Sequence, residues 1–222
     1  MKFELVRAAA VTLSLATITT LILMLIAPPL AWWLARTRSI FRPFIEALVA
    51  LPLVLPPTVI GFYLLLTLSP TSMIGGAWHS LTGGTLVFSF AGLVVGSLIY
   101  SLPFVAQPLA ASFRAMDPGL LEAGSALGAR PAERFMVLVL PMNRRALIAA
   151  AVLGFAHTIG EFGIVLMIGG NIRGETRVLS IVLFDQVESL HYADAHVTAL
   201  VLVLLSAAAL TLTYRAQRGR PQ

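Results

Sequence analysis

Asp117-Pro118-Gly119-Leu120-Leu121-Glu122-Ala123-Gly124-Ser125-Ala126-Leu127-Gly128, closed further on by Leu140-Pro141, is the long polar interruption in a strongly apolar chain. These residues predict a helix–turn–helix. Asp117 can accept from the free amides of a first helical turn, and Pro118 suits the first helical position because no amide bond is lost there. Gly128 is placed to end that helix, since glycine takes up left-handed backbone cheaply. A second short helix can begin at Pro131 and is expected to stop before Pro141. Ala123, Gly124 and Ala126 give the first helix a face of small residues.

Outward from this stretch the chain is too apolar for an ordinary soluble domain. Of 222 residues, 58% are hydrophobic and 11% charged, and mean hydropathy is +0.91. Without cysteine there is neither a disulfide nor a thiolate metal site. Lys2 is the sole lysine, which excludes a phosphate-binding loop of the Walker A type. Any ATP-driven step must be catalysed by another chain.

Ala8 to Leu34 runs 27 residues without a charge, too long for a signal-peptide core and without a convincing cleavage site, so a membrane span is expected. Further spans are predicted at 44–68, 85–111, 146–168 and 195–213, all within one transmembrane domain covering 1–222. Five spans place 35–43, the loop 112–145 and the C-terminal tail on one side. That side carries eleven of the fifteen basic residues: Arg36, Arg38, Arg42, Arg114, Arg130, Arg134, Arg144, Arg145, Arg215, Arg218 and Arg220. Lys2, Arg7, Arg173 and Arg177 fall on the other. The positive-inside rule then puts the Glu122 loop and the C-terminus in the cytoplasm.

Within the spans, Pro52, Pro56 and Pro57 interrupt the second. Each removes an amide and frees carbonyls that must face protein or a water-lined path. Such a break serves either a translocation route or a packing kink. Gly92 and Gly96 allow another helix to approach the third span. Glu161 is the one carboxylate deep in a span, with His157 a turn earlier on the same face. It is a candidate functional group or a paired structural one. His191, Asp194 and His196 fit no recognised metal-binding spacing, and no metal site is expected. Residues 173–188 read as an amphipathic helix, either lying at the outer surface or packing across span ends.

The run Glu122-Ala123-Gly124, with Gly128 four residues after Gly124 and then Leu140-Pro141, resembles the coupling loop of ABC importer permeases, which is written Glu-Ala-Ala, Gly, hydrophobic-Pro. Gly124 departs from the pattern while staying small. The resemblance assigns ATPase coupling to Glu122, Ala123, Gly124, Ser125, Ala126, Leu127, Gly128, Leu140 and Pro141. The alternative is an ordinary short loop. Leu51 to Tyr63, His157 to Asn171 and Gly174 to Ile181 look like the molybdate permease family of bacterial ABC importers, with sulfate and tungstate permeases sharing related stretches.

This resemblance implies an all-α polytopic fold like that of type I ABC importer permeases. It also implies a homodimer, two ATPase subunits that bind ATP-Mg, and a periplasmic or lipid-anchored molybdate-binding protein. The chain itself would hold no cofactor, catalyse no reaction and bind no nucleic acid. For a dianion in transit, neutral donors and freed backbone amides are the expected lining: Thr58, Ser89, Ser97, Ser101, Thr158 and Asn171, with Pro56, Pro57 and Glu161 as further candidates for the pathway or gate. A membrane scaffold that docks an ATPase, and a passive channel, are the rivals from other classes.

Overall fold

The frame is set by which apolar runs are long enough to cross a bilayer. The computed structural model describes residues 2–218, and among them there are helices and no strand. In chain order the helices are α1 (Lys2–Arg36), α2 (Arg42–Val54), α3 (Pro57–Leu68), α4 (Met73–Thr82), α5 (Phe90–Arg114) and α6 (Pro118–Ala126). Next come α7 (Pro131–Arg134), a π-helical turn (Phe135–Val139) and α8 (Leu140–Met142). The chain then runs through α9 (Arg144–Gly160), α10 (Gly163–Gly169), α11 (Leu179–Glu188) and α12 (Tyr192–Arg218). Helices α1, α5 and α12 each contain an apolar stretch long enough to span a membrane.

The main core lies where α1, α5 and α9 pack together. Leu23, Ala27 and Ala31 of α1 meet Val105, Ala106 and Leu109 of α5 and Ala150 of α9, all buried. Gly154 of α9 sits where a β-carbon would come within 2.6 Å of Val105, so the two backbones can approach closely. Helix α12 covers the outer side of α9.

Several sequence expectations need correction. The second span, predicted at 44–68 with prolines interrupting it, is broken as those prolines indicated: α2 and α3 meet at a bend of 114°. Pro56 and Pro57 are the cause, because two successive residues lack amides and hold extended or helix-starting backbone. Pro52, by contrast, is accommodated inside α2. The third span begins at Phe90 rather than 85, capped by Ser89, and runs on to Arg114. The fourth, predicted at 146–168, breaks at Glu161-Phe162 into α9 and the short α10. Among the described residues, three helices are long and apolar enough to cross a membrane, or up to five crossings if α2 with α3, and Pro131–Met142 with α9, each count as one bent span.

The loop predicted over 69–84 contains α4, whose first turn is capped by the Ser72 hydroxyl accepting from Gly75 N at 2.9 Å. The surface helix predicted over 173–188 starts only at Leu179, and its first turn is buried rather than laid on the outside. Thr12 of α1 holds that turn by accepting from Leu179 N at 2.9 Å. Packing across span ends is the alternative the structure shows.

Candidate coupling module and broken-helix site

At the arginine-rich end, the helix–turn–helix forms as its residues dictate. Asp117 Oδ1 accepts from Gly119 N at 2.9 Å, and Pro118 opens α6. The chain leaves α6 through Gly128, whose φ of +82° suits glycine alone at low cost. Gly128 N donates to Ser125 O at 2.9 Å and Ala129 N to Gly124 O at 3.1 Å, which satisfies carbonyls left free by the helix end. At the next start, Arg130 N donates to Glu133 Oε2 at 2.8 Å.

The second helix differs from expectation. It does not stop before Pro141 but continues to Met142. Pro141 offers no N–H, and the helix register shifts just before it: Leu140 N bonds to Phe135 O, five residues back. The wider π turn accommodates the proline that an α-helix would have expelled.

Arg134 ties the two helices together by donating from Nη1 to Leu121 O at 3.2 Å and to the Ser125 hydroxyl. Gly124 lies against Leu138 and Arg134, where a β-carbon would come within 3.0 Å of Leu138. The Gly for Ala departure at this position thus relieves a tight crossing. From the same arm Phe135 packs on Trp32 and Phe113, and Val139 is fully buried in the main core. The outer face of the module is open. Glu122, Ala123, Ser125, Ala126 and Gly128 are exposed, Leu127 is 88% exposed, and Met136 and Val137 add apolar surface nearby. Leu140, in contrast, packs half-buried against the core, and Pro141 is exposed.

The second site gathers the two helix breaks. Gly163 at the start of α10 is against Pro57 at the start of α3, and the two helices pack side by side. Pro56 and Thr58 are exposed there, and Pro57 is half-buried. Gly96 of α5 receives Ile164 and Ile168 of α10, the close approach its sequence setting predicted.

Behind the break lies a buried polar layer. Ser101 Oγ is 2.9 Å from His157 Nδ1 and 3.0 Å from Thr158 Oγ1, which donates to Gly154 O at 2.9 Å. The His157 ring stacks on Phe104 at 3.7 Å between centroids. Glu161 is buried at 4% exposure beside Ser97, and neither its carboxyl oxygens nor the Ser97 hydroxyl closes a well-formed hydrogen bond. Ser89 is occupied in capping α5, where it accepts from Gly92 N at 3.2 Å. Asn171 lies apart, at φ +58°, donating to Asp185 Oδ2 at 3.1 Å next to the Arg177–Asp185 ion pair at 2.6 Å. The structure thus brings Pro57, Gly163, Thr158 and Glu161 into one region and leaves Asn171 outside it. No group of metal-ligating side chains occurs among the described residues.

The exposed small-residue helix stands braced through Phe135 on the core of the spans, and comparison gives the chain a family. Residues 24–219 match the binding-protein-dependent transport system inner membrane component family. The chain belongs to that family. Among its relatives, this inner membrane component is 53% identical over 211 residues to the molybdenum transport system permease protein ModB of Azotobacter vinelandii, covering 95% of this chain and 93% of that one. It is 32% identical over 209 residues to the sulfate transport system permease protein CysT of Escherichia coli strain K12, covering 94% and 74%. Its fold matches a subunit of the MetNI methionine ABC transporter in inward-facing conformations, with TM-score 0.76 at 19% identity over 100% of this chain and 98% of that one. A bacterial ABC transporter that imports alginate matches with TM-score 0.73 at 18% identity, over 96% and 78%.

Sequence reasoning missed the roles of Arg134, which ties the module's two helices together, and of Phe135 and Asn143, which fasten it to the spans. A signal existed for Arg134, an arginine on the second helix facing the polar Ser125 of the first. None existed for Asn143, whose partner Ser112 is 31 residues away.

Proposed function

We propose that this chain is the membrane-spanning subunit of an ATP-driven importer of molybdate. The observation that carries the reading is the α6 module, exposed on its outer face, tied by Arg134 to the following arm and, through Phe135 of that arm, packed on Trp32 of α1 and Phe113 of α5. A surface so braced passes displacement to the spans instead of absorbing it. Two copies of the chain would enclose the path, since three to five crossings are few for a hydrated dianion. Two ATPase subunits that bind ATP-Mg would dock on Glu122 to Gly128 from the cytoplasm, with the C-terminus on the same side. A molybdate-binding protein would deliver cargo at the opposite face.

In this reading Pro56, Pro57 and Thr58, beside the start of α10, border the route. Thr158 and Glu161 support it from within one copy. No lysine or arginine lies in the breaks, which suits transient passage, because a fixed cation would hold a desolvated dianion too tightly. Molybdate is preferred over sulfate because the Azotobacter vinelandii relative is the more similar of the two. Vesicles holding the permease, its ATPase and its binding protein should accumulate molybdate on ATP addition, with excess sulfate competing poorly. Sulfate uptake without molybdate uptake would keep the importer and overturn the cargo.

A further inference from the structure

The arm Pro131–Met142 meets α9 at an angle of 78°, and the joint is a single residue, Asn143. Three polar groups converge on its buried side chain. Ser112, in the last turns of α5, donates its hydroxyl to Asn143 Oδ1 at 2.6 Å. Asn143 Nδ2 donates to Val139 O at 2.8 Å and lies 2.9 Å from Met116 Sδ. The amide therefore closes the π turn on one side and fastens it to the end of α5 on the other. A π turn is a weak point in a helix, frequently found at functional sites.

Resting on the transport reading above, we infer that Asn143 is the pivot of the coupling module. It is the positioning residue through which displacement of α6 and its arm becomes movement of α5 and α9. A rigid arm needs a joint that stays closed while the arm tilts. The Ser112–Asn143 bond supplies that joint, and the shifted register before Pro141 supplies the compliance. Without the bond the arm tilts alone, and ATP hydrolysis continues without moving the spans.

The test uses the complete transporter in proteoliposomes, comparing molybdate uptake with ATP hydrolysis. Asn143→Leu and Ser112→Ala should each lower molybdate moved per ATP by about fivefold or more, the factor carried by one well-formed hydrogen bond. Ser112→Thr, which keeps the hydroxyl, should restore it. The chain has no cysteine, so Ser112→Cys with Asn143→Cys gives one defined cross-link. Reduced, the pair should be uncoupled; oxidised, it should regain uptake per ATP.

Should Asn143→Leu not assemble with the ATPase, Ser112→Ala and the cysteine pair decide the matter. Wild-type ratios in both single variants, or arrest of transport on oxidation, would overturn the pivot. No molybdate uptake by the unaltered transporter would instead overturn the cargo reading, with the pivot then read in whichever oxyanion is carried.

Discussion

Gly163, the first residue of α10, lies so close to Pro57, the first residue of α3, that a β-carbon there would come within 2.7 Å of Pro57 Cβ. The two helix breaks thus face each other. The proline ring cannot rotate away, so Gly163→Val should cost about 1–3 kcal/mol through overpacking. Gly160→Ala, three residues earlier with open space around it, should be tolerated. Thermal unfolding of the purified protein in detergent would compare the two. Equal melting temperatures would show that the breaks are not in tight contact.

Local signals were legible in the sequence; contacts between distant residues were not. Asp117, Pro118 and Gly128 do what capping chemistry requires because each acts on backbone within a few residues. Ser72 and Gly83 would have revealed α4 by the same logic, had its short apolar run not been read as loop. The halves of the second span were harder: three prolines signalled a break, but only Gly163 explains why Pro57 is where the chain turns. Pro141 misled because the π turn that admits it is bonded by Asn143, at the joint before α9, which is in turn held by Ser112 on the distant α5. Glu161 was visible as a buried acid, yet its lack of hydrogen-bonded partners is a property of the packing.

Gly128 has φ +82° with no atom near a would-be β-carbon, so a substitution there is penalised by backbone rather than by crowding. Gly128→Ala should cost about 1 kcal/mol. Gly128→Asp adds a charge on the exposed face and should leave the protein in the membrane while uptake is lost. Normal uptake by the aspartate variant at normal expression would remove this turn from the coupling role.

Arg36 ends α1 and donates from Nη2 to Phe113 O at 3.0 Å and Met116 O at 3.2 Å, with its guanidinium over Trp32. Phe113 is in the last turn of α5 and Met116 just beyond it, where helix carbonyls lack intrahelical partners. Arg36→Leu should lower stability by about 1–3 kcal/mol, and Arg36→Lys, able to reach fewer acceptors, by less. Chemical denaturation in detergent would rank them, and identical midpoints would mean that water replaces the arginine fully.

The side assigned to the α6 module rests on arginine placement, and fusions can test it. A reporter after Gly128 should be active in the cytoplasm, and one after Gly83, beyond α4, should be active outside. The opposite pattern would invert the chain and remove α6 from reach of a cytoplasmic ATPase.

Glu161 poses the sharpest question about the route. It is 4% exposed, and both carboxyl oxygens lack hydrogen-bond partners, as does the neighbouring Ser97 hydroxyl. A carboxyl in such a place is costly to bury without hydrogen-bond partners. Glu161→Gln keeps the shape and offers N–H donors for which Ser97 is an acceptor. The bond from Ser180 Oγ to the main-chain oxygen of residue 161, at 2.6 Å, does not depend on the side chain. The amide variant should therefore match or exceed wild-type stability and retain uptake. Glu161→Ala, which leaves a cavity behind the break, should lose about 1–3 kcal/mol. If Glu161→Gln folds normally but cannot transport, the carboxyl has a task that an amide cannot perform, and Glu161 belongs to the gate itself rather than to its support.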